Sequence, residues 1–201
     1  MIDDGYIKFN NLLTEGDPPD QIYLTELNSW RNTLYNYGLL GAYDNGVGYG
    51  NVSRRFGEGS FIISGSGTGN QTYLSNKEYV RVNSFNEKTN TTESTGLISP
   101  SSESMTHGII YRSSPKVRCV MHVHNIQLWN NHKHRHPTTA VHVAYGTPAM
   151  ANEVRSIVSQ LSAQHPQVII MGGHKEGIIV YGPSILSVGT VSLQSISELN
   201  S

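Results

Sequence analysis

The chain has 201 residues, of which 14% are charged, and a formal net charge of −1 at neutral pH. That length suits one domain, residues 1–201, with a single substantial core, and the charge excludes a basic nucleic-acid surface or an acidic disordered tail. No apolar run approaches the roughly 20 residues needed to cross a bilayer, and MIDDGYIKFN lacks the basic region and apolar core of a secretion signal, so a cytoplasmic protein with no membrane or nucleic-acid partner is expected.

Residues 1–19 form an N-terminal arm or edge element that ends in a turn at Pro18-Pro19. Asp20 can cap a helix whose apolar residues Leu24, Leu27, Trp30, Leu34 and Tyr37 repeat with helical spacing up to a stop at Gly38. NGVGYGN, from Asn45, must turn tightly. Asn51-Val52-Ser53 then enters a strand that pairs with Phe61-Ile62-Ile63 across the turn FGEG. SGSGTG, Ser64 to Gly69, is a glycine-rich loop whose backbone N–H groups could cradle an anion, although the same composition describes a flexible surface loop. Tyr79 to Phe85 alternates like a strand, and Asn86 to Thr95 reads as an exposed turn or short hairpin.

Ser101-Ser102-Glu103 precedes a helix with Met105, Ile109 and Ile110 facing a core, ended by Pro115, which puts Glu103 in the first turn and His107 on the same face. Val117 to Asn125, VRCVMHVHN, is a buried strand carrying His122 and His124 near its end. Asn130 to Thr139, with HKHRH inside it, reads as a solvated loop. Thr147-Pro148 opens an amphipathic helix with Met150, Val154, Ile157, Val158 and Leu161 as its stripe. Gln167–Met171 and Ile178–Tyr181 are strands around the turn GGHKEG, and the tail from Pro183 is a short helix interrupted at Gly189.

Cys119 is the sole cysteine, so no thiolate cluster can hold a metal, and its place inside an apolar strand makes it inert core. Nitrogen and oxygen ligands remain, and five of the nine histidines fall between His122 and His136. Side chains two positions apart on a strand leave on the same face, so His122 and His124 can hold one ion. A catalytic zinc site usually has three protein ligands and an open position, and His174, between glycines in a turn, is the candidate third. Glu103, at a helix start, can then act as general base or acid while the metal polarises a carbonyl oxygen and stabilises an enediolate. Each feature also has a plain structural reading: a packed histidine, a helix-dipole partner or a turn residue. His107 reads as a packed, hydrogen-bonded histidine rather than a ligand.

The motifs GNVSRR, ISGSGTG, SSESMTHGIIYRSSPKV, VMHVHN, YGTPAMANEV and GGHKEGIIVYG occur in this order. From about Trp30 to Gly182 the chain thereby resembles the class II aldolase/adducin family of sugar-phosphate aldolases, epimerases and related lyases. The resemblance implies a three-layer α/β/α domain around a central, mainly antiparallel sheet, commonly in a homotetramer with active sites between subunits. His122, His124 and His174 correspond to the zinc ligands and Glu103 to the acid/base, while Asn51, Ser66, Gly67, Ser101 and Ser102 match positions that hold a substrate phosphate. Three histidines would also accept Mn2+, Co2+ or Ni2+.

The chain departs from the family pattern in several places. The segment between His124 and Gly146 is shorter than in the sugar-phosphate aldolases it resembles, and the missing part is where those enzymes carry a tyrosine that the neighbouring subunit uses as a proton donor. SGSGT has lost a proline, Lys175-Glu176-Gly177 follows His174 where glycine usually follows at once, and the tail QSISELNS lacks a terminal tyrosine. The expected function is a metal-dependent lyase that makes or breaks a C–C bond in a hydroxy-carbonyl substrate, a sugar phosphate by resemblance. A dehydratase, epimerase or decarboxylase on the same residues, or a non-catalytic adducin-like binding module, are the alternatives.

Overall fold

The computed structural model describes residues 7–197; the start of the expected arm and the end of the expected tail lie outside the described residues. Strand β1 (Asn10–Glu15) is followed by helix α1 (Thr25–Asn36), the short strands β2 (Gly41–Ala42) and β3 (Gly48–Tyr49), and then β4 (Asn51–Arg55), β5 (Phe61–Ser64), β6 (Tyr79–Asn86) and β7 (Thr91–Gly96). The second half contributes α2 (Ser104–Ser113), β8 (Cys119–His124), α3 (Ile126–His132), α4 (Pro148–Val158), β9 (Gln167–Ile170), β10 (Gly177–Gly182) and α5 (Ile185–Ser197).

Eight strands form one sheet in the order β1-β7-β6-β5-β4-β8-β10-β9, antiparallel throughout except where β1 lies parallel to β7. β2 and β3 form a separate hairpin. β8 lies between β4 and β10, and all six of its residues are buried. Alternation along β8 sends Cys119, Met121 and Val123 into one core and Val120 into the other. The first core is closed by Leu27 and Leu34 of α1 and Ile185 and Val188 of α5, and the second by Met105 and Ile109 of α2 and Met150 and Val154 of α4. Helices therefore cover both faces of a mainly antiparallel sheet, the expected α/β arrangement. Among the described residues, no helix is long and apolar enough to cross a membrane.

Several local expectations are corrected. Asp20 caps a single 3-10 turn, Gln21–Tyr23, by accepting from the Ile22 N–H, and α1 begins only at Thr25. Tyr37 follows the last residue of α1 and is 61% exposed, outside the apolar stripe. The loop expected from Asn130 is helical at its start: the Asn125 side chain accepts from the Leu128 N–H, and this cap begins α3, which buries Leu128 and runs on through Asn130 to His132. His132 at the end of α3 is buried as well, so HKHRH is only partly solvated.

The tail helix is continuous through Gly189. A Cβ there would lie 2.3 Å from the Trp30 ring of α1, so this glycine allows two helices to approach rather than breaking one. By propensity alone, Gly189→Ala should stabilise a helix by about 1 kcal/mol. Urea unfolding is expected to show the opposite, a loss of about 1 to 3 kcal/mol from overpacking against Trp30, and a gain would mean that the two helices do not pack this closely.

Candidate active site

Because β8 alternates, His122 and His124 leave on the face turned towards α2, and their ring centroids are 4.8 Å apart. His174 comes from the turn between β9 and β10, where its N–H donates to the Met171 carbonyl at 3.1 Å and its own carbonyl accepts from the Gly177 N–H at 2.9 Å. Its ring lies 5.1 Å from that of His122 and 4.8 Å from that of His124. One nitrogen of each ring falls within 4.8 Å of the others.

These residues fit a metal ion. Nitrogens bound at about 2.0–2.1 Å to one tetrahedral ion stand roughly 3.3 Å apart, and Nε2 of His124 is 3.1 Å from Nε2 of His174. His122 Nε2 is buried with no hydrogen-bond partner among the described residues, which leaves that nitrogen available to an ion. Gly177 pairs opposite His124, and a Cβ on it would lie 2.4 Å from His174 Cδ2 and 3.0 Å from His122 Nε2. Any side chain at that position would fill the space between the imidazoles.

Burial, helped by the neighbouring imidazoles, holds His122 and His124 well below the ordinary histidine range. Burial, and secondarily the Lys8 ammonium, lowers His174 to about 3. All three rings are thus neutral at pH 7, the form that ligates a metal.

Glu103 is the N-cap residue of α2, one position before the first turn in which it is expected from sequence, and is 2% exposed. Its carbonyl accepts from the His107 N–H. His107 is packed, as its apolar neighbours imply: Nδ1 lies 2.7 Å from Ser53 Oγ, which is 2.7 Å from the Tyr111 hydroxyl, and burial lowers its pKa to about 3. Cys119 is buried and its thiol pushed up by burial, as suits core.

The three histidines and Glu103 line an open cleft enclosing about 410 Å3, including solvent at its mouth. Asn51, Ser66, Gly67, Ser101 and Ser102 line the same cleft. Two pairings bring them there. Asn51 stands opposite His122 in the β4–β8 register, and a bridge between Gly65 and Pro100 lays SGSGTG alongside Ser101. The Ser66 N–H donates to the Ser99 carbonyl at 2.8 Å, so this amide is already engaged and is not free to meet an anion. None of His132, His134 and His136 lines the cleft.

Three tyrosines around the histidines go beyond the residues expected from sequence. Tyr49 stacks on His124 at 5.3 Å, and the Tyr43 hydroxyl is 2.9 Å from His124 Nδ1 and 3.1 Å from the Glu176 carboxylate. The Tyr145 ring lies 4.4 Å from that of His174, and the Lys8 ammonium stands 3.9 Å from the Tyr145 ring centroid. Tyr145 begins the motif YGTPAMANEV, a signal that was available; Tyr43 and Tyr49 flank a glycine-rich turn with no periodicity to assign them a face.

The model of the class II aldolase and adducin N-terminal domain matches residues 39–188. The chain belongs to that family. Among solved structures, it is similar to L-fuculose-1-phosphate aldolase from Thermus thermophilus, at 19% identity and a TM-score of 0.63, covering 87% of this chain and 88% of that one. It is also similar to a sugar-phosphate aldolase from Thermotoga maritima, at 14% identity and a TM-score of 0.61 over 87% and 91% of the two chains. YgbL from Klebsiella pneumoniae, whose activity is left among aldolase, epimerase and decarboxylase, matches at 17% identity and a TM-score of 0.65 over 89% and 88%. No curated protein matches by sequence. Class II aldolases use a divalent metal, and this three-histidine group could hold one.

In the metal-free protein, His107 and His174 stay neutral down to about pH 3 when folded, whereas an unfolded histidine takes up a proton near 6.5. The unfolded state binds more protons between those values, so stability falls as pH falls through that window. Thermal unfolding from about pH 7 to about pH 4 should show a midpoint that declines steadily below about pH 6.5. A flat profile would mean that the rings are not held neutral.

Proposed function

We propose that the chain is a metal-dependent lyase of the class II aldolase type, cleaving or forming a C–C bond in a hydroxy-carbonyl substrate, with a sugar phosphate as the substrate class. The observation that carries this reading is the convergence of three buried, neutral imidazoles and the buried Glu103 carboxyl group on one cleft. His122, His124 and His174 would hold zinc, and the same nitrogen set admits Mn2+, Co2+ or Ni2+. Bound there, a divalent cation supplies Lewis-acid polarisation of a carbonyl and stabilises charge developing on its oxygen.

Glu103 takes the proton from the carbon next to the carbonyl and returns it when the reaction runs backwards. Its place at the start of α2, almost out of water and on the same cleft as the histidines, suits an acid/base group that must face substrate rather than solvent. Asn51 with Ser66, Gly67, Ser101 and Ser102 forms the polar side of the cleft and would hold the phosphate, their small side chains leaving room for it. Tyr145 and Tyr49 border the cleft beside His174 and His124, where their rings limit water access to the histidines. The reading includes a cytoplasmic homotetramer with sites between subunits, for which light scattering should give four times the chain mass of 22.1 kDa.

Purified protein is expected to carry one zinc per chain and to turn over a hydroxy-carbonyl phosphate in a substrate screen. Glu103→Gln should retain the metal and lose about a hundredfold to ten-thousandfold in kcat, while His122→Ala should lose the metal. Metal-free protein as purified, or full turnover in Glu103→Gln, would overturn this reading. Bound metal with no turnover on any hydroxy-carbonyl compound would favour a binding module instead.

A further inference from the structure

Glu176 is one of two described non-glycine residues with positive φ, at +73°, a conformation that side-chain-bearing residues rarely adopt. It sits in the turn that carries His174 and continues into β10, and its carbonyl accepts from the Asn125 N–H at 3.1 Å, directly after His124. From there its carboxylate receives the Tyr43 hydroxyl at 3.1 Å, and that same hydroxyl lies 2.9 Å from His124 Nδ1.

The proton positions in this chain of contacts follow from chemistry. An ionised carboxylate only accepts, so the single phenolic proton of Tyr43 goes to Glu176. The Tyr43 oxygen is then left to accept, and His124 must donate to it from Nδ1. A neutral imidazole with its proton on Nδ1 has a bare lone pair on Nε2, the nitrogen turned towards His174. Tyr49 stacks on the same ring at an interplanar angle of 26°, and Tyr43 and Tyr49 are 4.8 Å apart, so the small β2–β3 hairpin holds the imidazole by one hydrogen bond and one face.

We propose that Glu176 and Tyr43 are positioning residues for the metal centre: together they hold His124 in the Nδ1–H tautomer and in the orientation that aims Nε2 at the ion. The proposal rests on the metal reading given above. Partners of this kind behind a ligating histidine typically contribute about tenfold to hundredfold in metal affinity.

Zinc affinity, measured by competition with a chromogenic chelator, tests it. Tyr43→Phe is expected to bind zinc about tenfold to hundredfold more weakly than the unaltered protein. Glu176→Gly should also bind more weakly while its unfolding temperature stays level or rises, because glycine accepts the left-handed backbone; a purely structural role would move both in the same direction. The double variant should bind about as weakly as Tyr43→Phe alone, since the two residues act in series. Long-range proton–nitrogen spectra of the metal-free protein should show a single Nδ1–H tautomer for His124 that becomes a mixture in Tyr43→Phe. Zinc affinity or a His124 tautomer unchanged in Tyr43→Phe would overturn the relay and leave the metal reading standing. An unaltered protein that binds no zinc would overturn the metal reading, and the proposal with it.

Discussion

Three neutral imidazoles held against one another out of water are the arrangement on which the rest of this structure depends. Each ring carries two polar nitrogens that burial separates from solvent, and charging any of the rings is opposed by the same burial. The surroundings are built to tolerate this. β8 is held on both sides by β4 and β10, which keeps the two strand-borne rings on a rigid floor, and the β9–β10 turn brings the third ring over them. Gly177 keeps the space between the rings clear.

Around that cluster the two sides of the cleft differ in chemistry. One side is made of short side chains and backbone, from Asn51 and the SGSGTG loop to Ser101 and Ser102, and is suited to an anion that needs many small donors. The other is aromatic, with Tyr49 on His124 and Tyr145 on His174, and is suited to shielding the rings from water. Glu103 stands at the start of α2, on the same face of the sheet as the histidines. In the proposed reading, the short polar side chains, the three histidines and the buried carboxyl group that share this cleft would divide the work of proton transfer beside a polarised carbonyl.

The β2–β3 hairpin shows how a minor element can matter to such a centre. It has only two paired residues on each side and contributes no residue to either core beyond its flanks, yet it presents Tyr43 and Tyr49 to His124. Glu176 holds an unfavourable backbone angle in the neighbouring turn and bonds to the same hairpin. Backbone strain of this sort persists where the surroundings over-determine a residue, and such places cluster at functional sites.

Much of this was legible in the sequence because it is governed by short-range rules. Period-two alternation alone places His122 and His124 on one face, the Thr147-Pro148 cap announces α4, and the apolar spacing of Leu27 and Leu34 marks the buried side of α1. The order of the motifs pointed to the family, and with it to Glu103 and His174. What the sequence alone could not supply were contacts between distant segments with no spacing to reveal them. Tyr43 and Glu176 are 133 positions apart, and Gly189 reads as a helix breaker until Trp30 is seen against it. Local propensity determined the elements and the pair of histidines, whereas only the packing of the sheet, its turns and its hairpin decided which side chains surround them, because those neighbours are chosen by tertiary proximity rather than by position along the chain.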